Sequence, residues 1–166
     1  MQAVLYPLSR AVIGDITVCL GADKNSIFNM LGKGESFDKK RYFYFNSELA
    51  IDFDKENKVE FIEFLGGIDG ELQPVIYGIS AFEVNADDLM ETLKKYNNGA
   101  INDSENGYSY GFLEISVGIY REFLPEEIIE SAKIENMSLD DEDVKKDLRK
   151  ALHWATVGIG VNNYYR

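Results

Sequence analysis

Segments of alternating apolar and polar residues constrain this fold more than any other feature of the sequence. In the segment ELAIDF, residues 48–53, apolar side chains at positions 49, 51 and 53 alternate with acidic or small ones. The aromatic segment Arg41–Phe45 precedes it and the segment Val59–Leu65 follows it, each beyond a short polar turn. Such alternation is typical of half-buried antiparallel strands. The three segments therefore predict a three-stranded meander.

The same order of elements occurs twice along the chain. Asp23 is positioned to cap a helix over Lys24–Leu31 before the first meander, and Gly32 can end that helix. The second half predicts a strand over Pro74–Phe82, a helix over Ala86–Tyr96 after the cap residue Asn85, and strands over Tyr108–Phe112, Leu113–Tyr120 and Ala155–Val161. We therefore predict two divergent half-repeats, over residues 16–66 and 75–161, within a single domain of residues 1–166.

A helical segment at about residues 122–153 interrupts the second half-repeat. Pro125 is typical of the first turn of a helix, where the missing amide has no intrahelical partner. Ser138, followed by Leu-Asp-Asp-Glu, predicts a second helix that begins at a hydroxyl cap and runs to about His153. Together the patterns predict the α+β class, with an antiparallel sheet or sheets and helices on one face.

Composition narrows the class of partner. The chain has 166 residues, with 29 acidic against 17 basic side chains and a formal net charge of −12. Because this charge repels nucleic-acid phosphates, we expect a basic protein partner and no direct contact with nucleic acid.

The N-terminal residues lack the basic and apolar regions of a signal peptide or membrane span, and the single cysteine, Cys19, suits a reducing compartment. We expect a cytoplasmic protein that does not contact membranes.

Few residues could serve catalysis. His153 is the only histidine, and it precedes Trp154 near a predicted helix end, where a packed or positively charged imidazole is favourable. The sequence contains neither a nucleophile elbow nor a glycine-rich phosphate loop. Among so many acids, no pair of carboxylates of the glycosidase kind stands out. We predict no catalytic residue, no cofactor and a protein that is not an enzyme.

One acidic segment has the spacing of a calcium-binding loop. Residues 52–63 carry carboxylates at the positions of an EF-hand loop, with Asn57 where a glycine is usual. The carboxylates that would bind calcium are Asp52, Asp54, Glu56 and Glu63. The flanking segments alternate as strands, so a polar hairpin turn without metal is the preferred interpretation.

Negative charge is concentrated in the segment that interrupts the repeat. Residues 122–147 contain ten acidic and three basic side chains, which gives a net charge of −7 out of the total of −12. A pair of solvated helices explains the acids in the first helical turns through the helix dipole. An electrostatic patch for a basic protein explains the whole excess, since it would raise the association rate and the selectivity. The sequence leaves both interpretations open.

Aromatic residues are the second indication of a binding surface. Phenylalanine, tyrosine and tryptophan make up 13% of the chain, and tyrosine is common at the energetically dominant positions of protein interfaces. Tyr108, Tyr110 and Tyr120, in predicted strands of the second half, are candidate anchors. At the C-terminus, Tyr164 and Tyr165 suit either contact with a partner or docking on the domain itself.

Four short segments of the first half follow one another as a helix end in Leu-Gly, an aromatic strand, an alternating apolar strand and a Lys-Val strand. They are Met30–Gly32, Tyr42–Tyr44, Leu49–Phe53 and Lys58–Ile62. In this order they resemble the half-repeat of β-lactamase-inhibitor-protein-like folds, which implies that fold and a tendency to bind proteins.

The whole chain, small, acidic and free of catalytic motifs, also resembles the immunity proteins of bacterial polymorphic toxins and contact-dependent growth inhibition. That resemblance implies a tight complex with a cognate toxin, commonly a basic nuclease.

The leading hypothesis is an immunity or inhibitor protein that binds and neutralises one toxin through an acidic, tyrosine-bearing surface. The predicted partner-binding residues are Glu126, Glu127, Glu130, Asp140, Asp141, Glu142, Asp143, Tyr108, Tyr110 and Tyr120. The alternative is a small-molecule or calcium-binding module of the same fold that uses the loop from Asp52 to Glu63.

Overall fold

The computed structural model describes residues 1–166 and contains twelve strands and four helices. The strands are β1 Gln2–Tyr6, β2 Arg10–Ile13, β3 Ile16–Cys19, β4 Arg41–Tyr44, β5 Leu49–Phe53, β6 Val59–Phe64, β7 Gln73–Ile76, β8 Ile79–Ser80, β9 Ile101–Asn102, β10 Ser109–Phe112, β11 Val117–Tyr120 and β12 Thr156–Gly160. The helices are α1 Lys24–Leu31, α2 Ala86–Asn97, α3 Pro125–Ile134 and α4 Glu142–Ala151, with a short 3-10 turn at Gly67–Asp69. The predicted α+β class is confirmed.

Strands of both halves form one seven-stranded sheet in the order β4-β5-β6-β12-β11-β10-β9. The predicted meander β4-β5-β6 is confirmed, and its last strand pairs antiparallel with β12, with Ile62 opposite Ile159. Outward from this pair lie β5 and β4 of the first half on one side, and β11, β10 and β9 of the second half on the other. The two halves therefore share a continuous sheet.

A second sheet, which the sequence patterns did not predict, has the order β3-β2-β1-β7-β8. The first three strands form an antiparallel meander of four or five residues each, and β1 pairs in parallel with β7. The predicted single strand over Pro74–Phe82 is wrong, since Tyr77 and Gly78 have positive φ angles and turn the chain into the short hairpin β7-β8. Very short strands give too few alternating residues for their period to be recognised.

One hydrophobic core lies between the two sheets and two of the helices. It is a continuous cluster of 29 buried side chains, with members such as Leu5 and Ile76 from the small sheet and Ile62 and Ile159 from the large one. Helix α1 contributes Ile27, and α2 contributes Leu89 and Leu93. Neither α3 nor α4 contributes to this cluster, and the buried residues of these two helices are Ala132, Val144 and Ala151.

Local signals placed the helix boundaries of α1 and α2 well. The amide of Gly32, whose φ is 81°, donates to the Phe28 carbonyl and ends α1, and Asn85 caps α2 by accepting from the Asp87 amide at 3.0 Å. Asp23 stands at the cap position of α1 but makes no cap hydrogen bond, because its carboxylate pairs with Lys58 at 2.7 Å.

The beginning of α4 differs from the prediction. Ser138 is not its cap: the amide of Asp141 donates to the Ser138 carbonyl in a preceding turn, and the Asp141 side chain caps the helix by accepting from the Asp143 amide. The Ser138 hydroxyl instead accepts from the Asp140 amide, also within that turn. The helix ends at Ala151, so the predicted end at His153 is two residues too late.

The predicted strand over Leu113–Tyr120 is also too long, because its first four residues are a turn. Buried Asn97, the last residue of α2, holds that turn. Its side-chain oxygen accepts from the Glu114 amide at 2.9 Å, and its side-chain nitrogen donates to the Ala100 carbonyl at 3.0 Å. The turn thus depends on a residue far from it in sequence.

Candidate partner-binding surface

The outer face of the seven-stranded sheet, opposite the core, carries a row of aligned residues on all its strands. By register these residues are Asn102, Gly111, Gly118, Gly158, Glu63, Ala50 and Phe43. The three adjacent strands β10, β11 and β12 therefore have glycine at aligned register positions. Glycine in a strand often marks a close approach of another group to the backbone.

The C-terminal residues fill the space above Gly111 and Gly118, whereas the Phe61 ring fills the space above Gly158. A Cβ atom added at Gly118 would lie 1.8 Å from the Tyr165 hydroxyl, and one at Gly111 would lie 2.9 Å from the Tyr165 ring. Tyr164 covers Gly160 in the same way and stacks on Phe61, with 4.5 Å between the ring centroids. Docking of the C-terminal tyrosines on the domain itself is therefore the arrangement that the structure shows.

Beside the tyrosines, two carboxylates share one guanidinium. Arg41 on β4 contacts Asp52 on β5 at 3.0 Å and also pairs with Glu63 on β6. Burial raises the pKa of Asp52, and the charge of Glu63 adds to this, against the lowering effect of Arg41. Burial also raises the pKa of Tyr164 to about 12, with further contributions from the charges of Asp52, Glu60 and Glu63. Asp52 and Glu63 together carry one more negative charge than Arg41 compensates.

A groove of about 440 Å³, which we call the tyrosine groove, opens on this face. Its lining comes from strands β6 and β9–β12, the loop before β10 and the C-terminal residues, and no helix contributes to it. Its polar side chains include Glu63, Glu105, Ser109, Tyr120 and Thr156. No lysine, arginine or histidine lines it. The tyrosine groove is thus acidic and aromatic.

The three predicted tyrosine anchors lie in different environments. Tyr120, the last residue of β11, lines the tyrosine groove and is 39% exposed. Tyr110 also borders the groove and packs edge-on against the buried Trp154, with 5.9 Å between the ring centroids. The Tyr108 hydroxyl donates to the Glu127 carboxylate. Of the three, only Tyr120 combines exposure with a place in the groove.

The predicted acidic residues lie on α3, α4 and the segment that joins them, which together we call the acidic helix pair, residues 125–151. Exposed members are Glu126, Glu130, Asp140, Asp141, Glu142 and Asp143. Glu127 is instead used within the fold, since it accepts from the Leu124 amide at 2.9 Å as well as from Tyr108. These hydrogen bonds, first the one from Tyr108, lower the pKa of Glu127. Asp141 serves as the helix cap described above.

The acidic helix pair also exposes apolar side chains. Ile134 at the end of α3 is 74% exposed, and Leu139 in the connection is 48% exposed. Phe123, just before α3, is 52% exposed. Exposed apolar side chains therefore lie on the acidic helix pair and directly before it.

The carboxylates of the proposed calcium loop are engaged separately. Asp54 accepts from the amides of Glu56 and Lys58 and so forms the turn between β5 and β6, whereas Asp52 and Glu63 bind Arg41. The Glu56 side chain is exposed. No group of three or more histidine, cysteine, aspartate or glutamate residues in the structure is arranged to hold a metal ion. The turn that Asp54 forms between β5 and β6 is the predicted polar hairpin turn.

A second cavity, of about 330 Å³, lies between α4, the 3-10 turn and the end of β11. Arg121 and Lys150 line it together with Asp69, Asp147 and Glu122, so both charge signs are present. Arg121 lies over the Trp154 ring at 4.7 Å and donates to the Ala151 carbonyl. His153, near this cavity in sequence, contacts the Val84 carbonyl oxygen through Nδ1 at 2.9 Å. These contacts join α4 to the rest of the domain.

The sequence predicts a role for Glu63 only as a possible calcium ligand, and it predicts no role for the glycine row. A signal was present, because the glycines at 158 and 160 alternate within a predicted strand and those at 111 and 118 lie in the two preceding strands. Recognising them as one row required the strand order.

No family model, curated protein or solved structure matches this chain. None of its helices is long and apolar enough to cross a membrane.

Proposed function

We propose that this chain is an immunity protein, a stoichiometric inhibitor that binds and neutralises a basic protein toxin of bacteria in the cytoplasm. The observation that carries the proposal is the tyrosine groove, whose lining includes carboxylates and aromatic rings but no basic residue. The resemblance to immunity proteins supplies the class of partner, with a nuclease as the commonest case. The groove supplies the carboxylates and aromatic rings that would contact such a partner.

The acidic helix pair supports the same proposal through its charge. Its exposed carboxylates raise the local concentration of a basic partner and orient it during encounter, which increases the association rate more than the final affinity. Tyr120 links the two surfaces along the chain, since it lies in the tyrosine groove and is followed five residues later by Pro125, the first residue of α3. A toxin that covers both surfaces would contact the carboxylates of the acidic helix pair and the aromatic rings of the tyrosine groove.

The test begins with a tagged pull-down from the native host at low and high salt, with mass spectrometry of the retained proteins. We expect one basic partner in a stoichiometric amount that survives moderate salt. Association of the purified pair is then compared for Glu130→Lys/Asp140→Lys and for the control Glu56→Lys/Glu91→Lys. All four positions are exposed, and the two variants change the net charge equally.

The reversal on the acidic helix pair should lower the association rate constant about tenfold at low salt, and less at high salt. The control should associate nearly as fast as the natural protein. Equal association rates for both variants would remove the acidic helix pair from the interface. The absence of any stoichiometric basic partner would contradict the proposed function itself.

A further inference from the structure

We infer that the tyrosine groove receives an arginine side chain of the partner protein. The identity of the partner as a basic protein rests on the proposed function. The chemistry of the groove, however, can be tested on the isolated chain.

The groove carries negative charge that the chain does not compensate. Glu105, in the loop between β9 and β10, makes no salt bridge, so its charge is uncompensated within the chain. Glu63 shares Arg41 with Asp52, so this cluster retains one excess negative charge. Because no basic side chain lines the groove, a cation from outside is the complementary group.

The groove is also lined by aromatic rings. Tyr120, Tyr164 and Tyr165 line the groove, and Tyr164 and Tyr165 meet edge to face at 5.1 Å. A guanidinium is planar, stacks on aromatic rings and can form paired hydrogen bonds to a carboxylate, whereas an ammonium is a more strongly hydrated point charge. The combination of flat rings and carboxylates therefore favours arginine over lysine.

The tyrosine groove also has the hydrogen-bond acceptors and the size that a guanidinium needs. Besides the two glutamates, the hydroxyls of Ser104, Ser109 and Thr156 line the groove and can accept from the donors of a guanidinium. Its volume of about 440 Å³ falls in the range of about 300–1,000 Å³ that is usual for small-molecule sites. The open groove can therefore accommodate the end of a side chain while the chain that bears it stays at the surface.

The experiment is a titration of the isotope-labelled chain, followed by nuclear magnetic resonance, with N-acetyl-arginine amide at constant ionic strength. N-acetyl-citrulline amide, which has nearly the same shape and no charge, is the comparison ligand, and N-acetyl-lysine amide is the second. We expect saturable shifts of the Tyr120, Tyr165 and Gly118 signals with the arginine compound, in the millimolar range that suits a single side chain. The lysine compound should bind more weakly, and the citrulline compound should not shift these signals.

Two variants locate the site. Glu105→Gln should weaken binding of the arginine compound about threefold, which corresponds to loss of one exposed charge pair. Glu91→Gln makes the same change of charge on α2, which packs on the core side of the large sheet, and should leave binding unchanged.

The inference is overturned by equal shifts with the citrulline compound, by equal weakening in both variants, or by the absence of shifts at the groove. None of these results would affect the pull-down or the association rates on which the proposed function depends. Conversely, arginine binding in the groove without a basic partner in the host would support this site and contradict the proposed function.

Discussion

Gly118 shows how a single missing side chain determines the surface of this protein. A glycine within a strand destabilises it by roughly 0.5–1 kcal/mol relative to alanine, because the unfolded backbone has more freedom to lose. Here the glycine leaves room for the Tyr165 ring, which could not lie against the sheet if a Cβ atom were present. Burial of that ring offsets the backbone penalty, since burying a large apolar side chain contributes about 1.5–3 kcal/mol.

A double-mutant cycle on Gly118 and Tyr165 tests this contact. Gly118→Ala alone should lower the free energy of unfolding by about 1–3 kcal/mol, because it displaces the Tyr165 ring. In a Tyr165→Ala background the same substitution should be neutral or stabilising by up to about 1 kcal/mol, since only the backbone effect remains. Urea unfolding of the four proteins measures both values. Equal losses in the two backgrounds would show that the ring does not occupy this space.

At the scale of elements, the beginning of α3 depends on contacts from two directions. Pro125 occupies the first helical position, and Glu127 reaches back to the Leu124 amide at 2.9 Å. The second contact comes from the loop before β10, whose Tyr108 donates its hydroxyl hydrogen to the same carboxylate. Glu127 therefore joins the acidic helix pair to the sheet, and its charge is used within the fold.

This contact predicts a pH-dependent effect of Tyr108→Phe. The hydrogen bond from Tyr108 lowers the pKa of Glu127, so the folded state favours the ionised carboxylate. The resulting stabilisation is present above the ordinary glutamate pKa of 4.5 and is lost as the pH falls through the lowered value in the folded protein. The difference in the free energy of unfolding between the natural protein and Tyr108→Phe should be greatest near neutral pH and should shrink in acid.

Denaturant unfolding at a series of pH values measures this difference. Tyr120→Phe is the matched control, because it removes a tyrosine hydroxyl that is not the donor to Glu127, and its effect should not change between neutral and acid pH. If Tyr108→Phe lowered the free energy of unfolding by the same amount from neutral pH down to strong acid, the contact with Glu127 would be contradicted.

At the scale of the whole molecule, the central pair β6–β12 and the shared core make the two halves interdependent. The core cluster draws on both sheets, α1 and α2, but on neither α3 nor α4. The acidic helix pair buries mainly small or medium side chains, Ala132, Val144 and Ala151. Segments with few buried apolar contacts open at lower free energy than the core.

Native-state hydrogen exchange should therefore show two levels of protection. Amides of β6, β11 and β12 should exchange only through global unfolding, whereas those within residues 125–151 should exchange at a lower free energy of opening. Mass spectrometry of peptides from each segment compares them in one experiment. Protection of the acidic helix pair as strong as that of β12 would contradict this expectation.

The sequence predicted the elements whose signals are local. The alternation of residues 48–53, the stop at Gly32, the cap at Asn85 and the proline at 125 each predicted a boundary or a strand that the structure contains. The start of α4 was predicted wrongly because two short-range signals compete there. Within residues 138–143, both the Ser138 hydroxyl and the Asp141 carboxylate could cap the first turn of α4. A separate turn from Ser138 to Asp141 precedes the helix, so Asp141 is the cap.

By itself, then, the sequence determined the class of fold, the first meander, most helix starts and the location of the excess negative charge. These depend on side-chain periodicity, capping and composition, all of which act over a few residues. Only the tertiary structure decided that β6 pairs with β12, that Tyr165 lies on Gly118 and that Glu105 shares a groove with Tyr120. Such contacts join residues distant along the chain, and local periodicity does not specify strand order or which side chains meet across a sheet.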